Sequence, residues 1–203
     1  LIQGYLNENT KTLGVKNQDV QNWFVESQFY SKKTQVTHVQ IKQEFQGVEI
    51  YNATANIAIK DNKVFYVGNR LIKDLDQKVA NASFSVTPQG AITNALSQLQ
   101  MGNASGAIQL VSSSEDKKYV FSAIGTSPEN IHVKKILFPI GNTIKAAWEV
   151  TMYTNDYQHL WNTIIDASSG TLLSKNDWVI SCNFGDATGG SHDNHNHVLD
   201  DCG

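Results

Sequence analysis

The clearest structural pattern in the chain is the stretch VTHVQIKQEFQGVEIYNATANIAIKDNKVFYV, which runs from Val36 to Val67. In its first run, the odd positions from 39 to 45 fall on one face of a strand and the even positions from 38 to 44 fall on the other. Two turn signals, Gln46-Gly47 and Asp61-Asn62, divide the stretch into three β-rich runs. The stretch therefore predicts an antiparallel meander of three strands.

Two amphipathic segments and a second β-rich region surround this meander. Residues 1–13 have the spacing of a weak amphipathic helix that ends at Gly14. Thr87 and Pro88 are typical of the first residues of a helix, and the apolar stripe that follows them ends at Gly102. Six further β-rich runs lie between residues 107 and 176, and they predict a second set of paired strands.

Each β-rich region is thus accompanied by one amphipathic helix. This arrangement predicts an α+β fold of two successive units, each with a helix packed against an antiparallel sheet. The predicted units cover residues 1–78 and 79–179, and residues 180–203 are predicted to form a flexible C-terminal tail or linker. The tail is rich in Gly, Asp and His and has few apolar residues that could offset the entropy of ordering it.

Composition and charge exclude several classes of protein. Only 17% of the 203 residues are charged, against a typical value of about 25%, which excludes a coiled coil and a charged disordered chain. The net charge of −3 gives no indication of a nucleic-acid or anionic-membrane partner. No apolar run approaches the roughly 20 residues of a membrane-spanning helix. A monomer that binds neither nucleic acid nor membrane is expected.

The sequence lacks the common catalytic motifs. It contains no His-Glu-x-x-His, no Gly-x-Ser-x-Gly, no phosphate-binding loop and no dinucleotide fingerprint. No cysteine precedes Cys182, so residues 1–181 offer no thiol nucleophile. The chain is therefore predicted not to be an enzyme, with no catalytic residue and no cofactor of its own.

The tail carries the chemically distinctive residues of the chain. His192, His195 and His197 place three imidazoles within six residues, a ligand set that suits zinc, nickel or copper. Adventitious or weak metal binding is one interpretation, and a solvated tail is the other. Cys182 and Cys202 flank this segment, and they form either a local disulfide in an oxidising compartment or two free thiols.

Two segments together resemble a known family. Thr37-His38-Val39, Gln43 and the run from Gln46 to Ala53 resemble the conserved block of the fungalysin/thermolysin propeptide domain. That block commonly has Asn at the position where this chain has Gln46. The run from Ala147 to Val150 and the run from Trp161 to Ser174 resemble the PepSY-type end of the same propeptides.

The closing Asp177-Trp178-Val179 also resembles the end of the prodomain in the fungalysin family of secreted zinc metallopeptidases. The resemblance covers roughly residues 1–179. It implies a cystatin-like unit followed by a PepSY-like unit, and a prodomain that assists folding of the protease and blocks its active-site cleft until cleaved. The implied partner is the cognate catalytic domain, which holds the zinc, and the implied location is secreted or periplasmic.

The resemblance also suggests which residues face the partner. The segment expected to enter the cleft comprises Trp178, Val179, Ile180, Ser181, Cys182 and Asn183. Trp148 and Trp161 are expected either in the internal core or at the partner surface. The alternative function is a stand-alone secreted or periplasmic binding module of the same fold, without catalysis. An enzyme of unknown type is a third possibility, which the missing motifs disfavour.

Overall fold

The computed structural model describes residues 1–79, 82–102, 107–115, 117–123 and 125–179. Those residues form four short α-helices, a 3₁₀ helix (Asn17–Val20) and ten strands. The helices are α1 (Ile2–Glu8), α2 (Thr10–Leu13), α3 (Leu75–Lys78) and α4 (Pro88–Gln98). The strands are β1 (Trp23–Ser31), β2 (Val36–Phe45), β3 (Val48–Lys60), β4 (Lys63–Asn69), β5 (Leu110–Ser114), β6 (Lys118–Phe121), β7 (Ile131–Ile140), β8 (Thr143–Tyr153), β9 (Leu160–Asp166) and β10 (Leu172–Asp177).

The strands form one mixed sheet in the order β1-β2-β3-β7-β8-β9-β10. Strands β1 to β4 make an antiparallel meander, and β7 to β10 make a second antiparallel run. The β5–β6 hairpin pairs with β7. A parallel pairing of β3 with β7, with Ile50 opposite Leu137, joins the two runs.

The predicted fold of two successive helix-on-sheet units is wrong. Strand accounts for 49% of the described residues and helix for 18%, so this part of the chain is mostly β. The physical reason lies in β3, which changes direction at a bulge around Asn52, where φ is 59°. Its second half pairs with β4, while its first half is free to pair with β7, so the two β-rich regions become one sheet. The boundaries at residues 78 and 179 stay predictions.

The core lies between the helices and one face of this sheet. Over the first run, Leu6 of α1 and Leu13 of α2 pack with Ile41 and Ile57. At the junction between the two runs, Leu75 of α3 packs in a separate apolar group. The strand residues of this group are Ile50, Ala53, Leu137 and Ile144. Over the second run, α4 packs on a group that includes Trp148, Val150, Met152 and Ile165.

The ends of the predicted helices have local explanations. Thr87 caps α4 by accepting a hydrogen bond from the Gly90 N–H at 3.1 Å, and Pro88 occupies the first helical position. The predicted N-terminal helix is interrupted at Asn9, where φ is −114°, and so it forms α1 and α2. None of the helices in the described residues has the length and apolarity to cross a membrane.

Candidate functional site

One face of the sheet carries the helices, and the other is free of them within the described residues. Val133 and Val150 pack in the same group as Ile92 of α4. Lys134 and Glu149 alternate with those valines along β7 and β8, so they lie on the opposite face. This second face, termed the open face, is the surface on which another polypeptide could lie.

A row of charged and polar side chains crosses the open face from strand to strand. The row comprises Glu26 on β1, Lys42 on β2, Glu49 on β3, Lys134 on β7, Glu149 on β8 and Asn162 on β9. It is termed the charge row. It crosses the parallel junction between β3 and β7, and it therefore ties the first antiparallel run to the second.

Glu49 is the centre of the charge row. Its Oε1 lies 3.1 Å from Lys42 Nζ and its Oε2 lies 2.5 Å from Lys134 Nζ, so each carboxylate oxygen has its own cation. Lys42 also lies 3.1 Å from Glu26, and Asn162 Nδ2 donates to Glu149 at 2.9 Å. The row has alternating charges and nearly complete pairing, which is typical of a scaffold and not of a catalytic acid or base.

Burial and pairing compete at Lys42. Burial lowers the pKa of this lysine, but the negative charge of Glu49 and the hydrogen bonds to Glu26 and Glu49 outweigh burial and raise the pKa overall. Lys42 therefore stays charged at neutral pH. The Glu49 side chain is only 8% exposed, so its interactions with the two lysines are screened less than those of a surface pair.

An apolar cluster adjoins the charge row on the open face. The half-buried Tyr51, Phe138 and Leu173 pack over the fully buried Ile136, Ala147 and Ile164. The Tyr51 and Phe138 rings lie 5.3 Å apart between centroids. Burial raises the pKa of Tyr51, and the charge of Glu149 adds to that effect. The cluster and the row thus form one continuous surface across the junction.

The chain leaves the sheet at the end of β10, where Asp177 anchors it. Asp177 Oδ1 accepts hydrogen bonds from the N–H groups of Leu160 at 3.1 Å and Val179 at 3.0 Å. Its Oδ2 lies 2.5 Å from Nδ1 of His159. The hydrogen bond to His159 is the main cause of the lowered pKa of Asp177. This contact set holds the backbone at Val179 against the end of β9.

Trp178 follows this anchor and is 53% exposed. Its backbone N–H donates to the carbonyl of Leu160 at 2.9 Å, and Trp178 lines a groove of about 350 Å³ on the open face. The groove is also lined by His132, Lys134 and Thr151. The structure therefore brings the first residue of the predicted inhibitory segment next to the charge row.

The other predicted site residues are placed as follows. Trp148 is 2% exposed, donates from Nε1 to the carbonyl of Val86 at 2.8 Å and lies in the core beneath α4. Trp161 is half-buried and stacks on His159 with ring centroids 5.0 Å apart. Val179 is half-buried beside Trp178. Outside the described residues lie Ile180, Ser181, Cys182, Asn183, His192, His195, His197 and Cys202.

Sequence reasoning missed a buried polar hub beneath the first run. Gln43 Nε2 donates to the carbonyls of Asp19 at 2.7 Å and Ile72 at 2.9 Å, and its Oε1 accepts from the Ile72 N–H at 2.8 Å. The Asp19 carboxylate accepts from the N–H groups of Lys16, Asp74 and Leu75. The available signal was a glutamine on an otherwise apolar strand face, because a buried amide needs several partners.

The described residues offer no constellation for metal chemistry. Within the parts of the chain that the structure describes, no group of three or more His, Cys, Asp or Glu side chains could hold a metal ion. The described residues form a sheet with a surface of paired charged and polar side chains, and Asp177 anchors the end of its last strand.

The family comparison falls on the first part of this scaffold. Residues 22–71 match the Fungalysin/Thermolysin Propeptide Motif. The matched span contains β1 to β4, the buried Gln43 and the bulge at Asn52. No curated protein sequence matches the chain.

The propeptide motif indicates what residues 22–71 are similar to. It supports a propeptide of a thermolysin- or fungalysin-type protease, a non-catalytic part of a precursor. It also implies association with a cognate protease domain. Gln43, the glutamine of the motif-like block, holds the segment around Ile72 against the sheet, so in this chain that position has a structural task.

Proposed function

We propose that the chain is the prodomain of a secreted zinc metallopeptidase, where it assists folding of the catalytic domain and blocks its cleft until cleavage. The observation that carries this proposal is the propeptide motif at residues 22–71. The zinc belongs to the cognate domain, which we expect in the same precursor with a His-Glu-x-x-His helix. Residues 79–179 act as the PepSY-like unit of this prodomain.

The exit of the chain supports an inhibitory role for the segment from Trp178 to Asn183. Asp177 fixes the start of that segment with two backbone hydrogen bonds, so the segment begins from a defined point on the sheet edge. A pre-positioned segment loses less entropy when it enters a cleft. Within the cleft, a carbonyl or carboxylate near the zinc displaces the water that would attack a substrate.

The open face supports the chaperone role. It carries the charge row and the apolar cluster, and no helix in the described residues covers it. Its side chains are held in place by their own contacts, so the face offers a rigid template against which a folding domain can order. The groove beside Trp178 lies on the open face, which supports an inhibitory segment that begins on the same side of the molecule as this template.

The test uses the full chain and its cognate catalytic domain. The denatured domain is refolded with and without the chain, and peptidase activity is then titrated with the chain in trans. We expect a higher refolding yield and stoichiometric inhibition. A chain that affects neither yield nor activity would overturn the proposal and favour a stand-alone binding module.

Substitutions separate the inhibitory segment from the scaffold. We expect Trp178→Ala to weaken inhibition roughly tenfold or more, as for an exposed aromatic anchor, with little change in the melting temperature. Tyr157→Ala is the matched control, because Tyr157 is 51% exposed in the loop between β8 and β9. Equal inhibition by the Trp178→Ala variant and the native chain would remove Trp178 from the inhibitory contact.

A further inference from the structure

Four lysines gather at one end of the sheet. Tyr30 pairs with Thr37, Thr37 with Ile59 and Ile59 with Val64, so the β1–β2 loop and the β3–β4 turn lie side by side. These connections and their flanks carry Lys32, Lys33, Lys60 and Lys63, which are termed the lysine tip.

The lysine tip is positively charged and unpaired. All four lysines are exposed, and Asp61 is the one carboxylate in residues 28–37 and 57–66. No ion pair joins the four lysines to a carboxylate within the described residues. The net charge of −3 does not reveal this local excess of positive charge, because it sums the lysine tip and the rest of the chain, which is net acidic.

Exposed aromatic side chains surround the lysines. Phe29, His38, Ala58 and Tyr66 lie opposite one another across four strands, and Phe29 and Tyr66 are 61% and 60% exposed. They border a groove of about 310 Å³ on the open face. Tyr30, 58% exposed, follows Phe29 along β1 and so points to the opposite face. Aromatic residues therefore occur on both faces of this end.

This distribution indicates the shape of the partner. A peptide that lies in a groove contacts one face, and it would leave Tyr30 in water. A lipid interface can receive the whole end of the sheet, with rings at the headgroup level and lysines among the phosphates. We propose that the lysine tip and its aromatic residues bind the surface of an anionic lipid bilayer. The proposal is independent of the prodomain function.

The orientation of the bound protein follows from the charge distribution. The lysine tip faces the membrane, while the net acidic remainder is repelled from it. The exit at Trp178 belongs to the second antiparallel run, and the lysine tip lies within the first. Because different strands carry them, the two features can be tested separately.

The test is co-sedimentation of the full 203-residue chain with vesicles. One set contains phosphatidylcholine with about one third phosphatidylglycerol, and the other contains phosphatidylcholine alone. We expect binding to the anionic vesicles, little binding to the neutral ones and progressive release with added salt. No binding to anionic vesicles at low salt would overturn the proposal.

Matched lysine variants locate the binding surface. We expect the combined substitutions Lys32→Gln, Lys33→Gln, Lys60→Gln and Lys63→Gln to weaken binding by roughly tenfold or more. The control variant changes four other exposed lysines to Gln: Lys11, Lys73, Lys118 and Lys175. Equal losses in both variants would show general charge attraction and contradict a site at the tip.

An aromatic variant tests insertion. Phe29→Ala with Tyr66→Ala keeps every lysine, and we expect several-fold weaker binding to anionic vesicles with a nearly unchanged melting temperature. Unchanged binding would contradict insertion of the rings. Inhibition of the catalytic domain is measured in parallel. If the lysine variant no longer inhibits the catalytic domain and the native chain does not bind vesicles, the lysine tip contacts protein and the membrane proposal is wrong.

Discussion

Glu49 on β3 and Lys134 on β7 form an ion pair of 2.5 Å across the parallel junction of the sheet. The pair joins residues that are far apart in sequence, and it lies where backbone pairing is limited to Ile50 opposite Leu137. Glu49 also contacts Lys42, so it links β2, β3 and β7. One carboxylate therefore adds to the coupling of the two halves that the apolar group around Ile50 and Leu137 also provides.

We expect Glu49→Ala to lower the free energy of unfolding by about 2–3 kcal/mol, because it leaves Lys42 and Lys134 partly buried and without their main partner. Urea denaturation measures the change. A double-mutant cycle with Lys134→Ala should give a coupling energy of about 1 kcal/mol or more. Glu115→Ala is the control, because the Glu115 side chain is 77% exposed in its pair with Lys117. Additive effects of the two substitutions would contradict the coupling.

Gln43→Ala should lower the stability of the fold more than the loss of one uncharged side chain suggests. It removes three hydrogen bonds and leaves the buried carbonyl of Asp19 and the partly buried carbonyl and N–H of Ile72 without this partner. We expect a loss of about 2–4 kcal/mol in the free energy of unfolding. The control is Gln40→Ala, a neighbour on the open face with a 3.4 Å contact to Ser27, for which a loss below about 0.5 kcal/mol is expected. A similar small loss at both positions would contradict the role of the hub.

Local features of the sequence predicted the local structure well. Gln46 and Asp61 were placed in turns between strands, and both have a positive φ in two-residue connections. Thr87 and Pro88 begin α4 as predicted, because capping depends on residues within one turn. The alternation of β2 is also confirmed, since Val39 and Ile41 are buried while Gln40 and Lys42 are only partly so.

The features that failed depend on distant contacts. The predicted fold of two successive helix-on-sheet units rested on a change of pattern, and nothing in that pattern shows that β3 bends at Asn52 and pairs with β7. The buried hub also depends on distant contacts, because the Asp19 carboxylate accepts hydrogen bonds from backbone groups 55 and 56 residues away. Of the predicted inhibitory segment, only Trp178 and Val179 fall within the described residues.

The turn that begins at Asp166 predicts a specific pH dependence of stability. Burial raises the pKa of Asp166, but hydrogen bonds from Lys145, Ser168 and Ser169 outweigh it and hold the pKa well below its ordinary value of 3.8. Since the folded pKa is lowered, the stabilisation is fully present above the pKa of the unfolded chain. It is lost as the pH falls through the lower folded value.

We therefore expect Asp166→Asn to cost about 1–3 kcal/mol at neutral pH, and the cost should shrink progressively below about pH 4. Urea denaturation of both proteins across this range measures the difference. Asp61→Asn is the control, because Asp61 is an exposed turn residue. Its backbone is left-handed, a conformation that asparagine also tolerates. A cost for Asp166→Asn that is independent of pH would show that the carboxylate charge is not the stabilising feature.

Gln46→Asn should stabilise the protein. Gln46 and Gly47 have φ values of 50° and 75° and connect the paired residues Phe45 and Val48, which is the geometry of a type I′ turn. Asparagine occupies the left-handed region at lower cost than glutamine, so we expect a gain of about 0.5 kcal/mol in the free energy of unfolding. Urea denaturation with an unchanged dependence on denaturant measures it.

Gly47→Ala is the opposing variant in the same turn. A Cβ at position 47 would meet Lys117 Nζ at 3.9 Å, an ordinary contact, so the cost is conformational and not steric crowding. We expect this substitution to lower the free energy of unfolding by about 1 kcal/mol, because a positive φ is strained for alanine and not for glycine. A gain from Gly47→Ala, or a loss from Gln46→Asn, would mean that the connection between β2 and β3 does not adopt the left-handed pair. The register that sets Glu44 opposite Glu49, and with it the position of Glu49 in the charge row, would then need another cause.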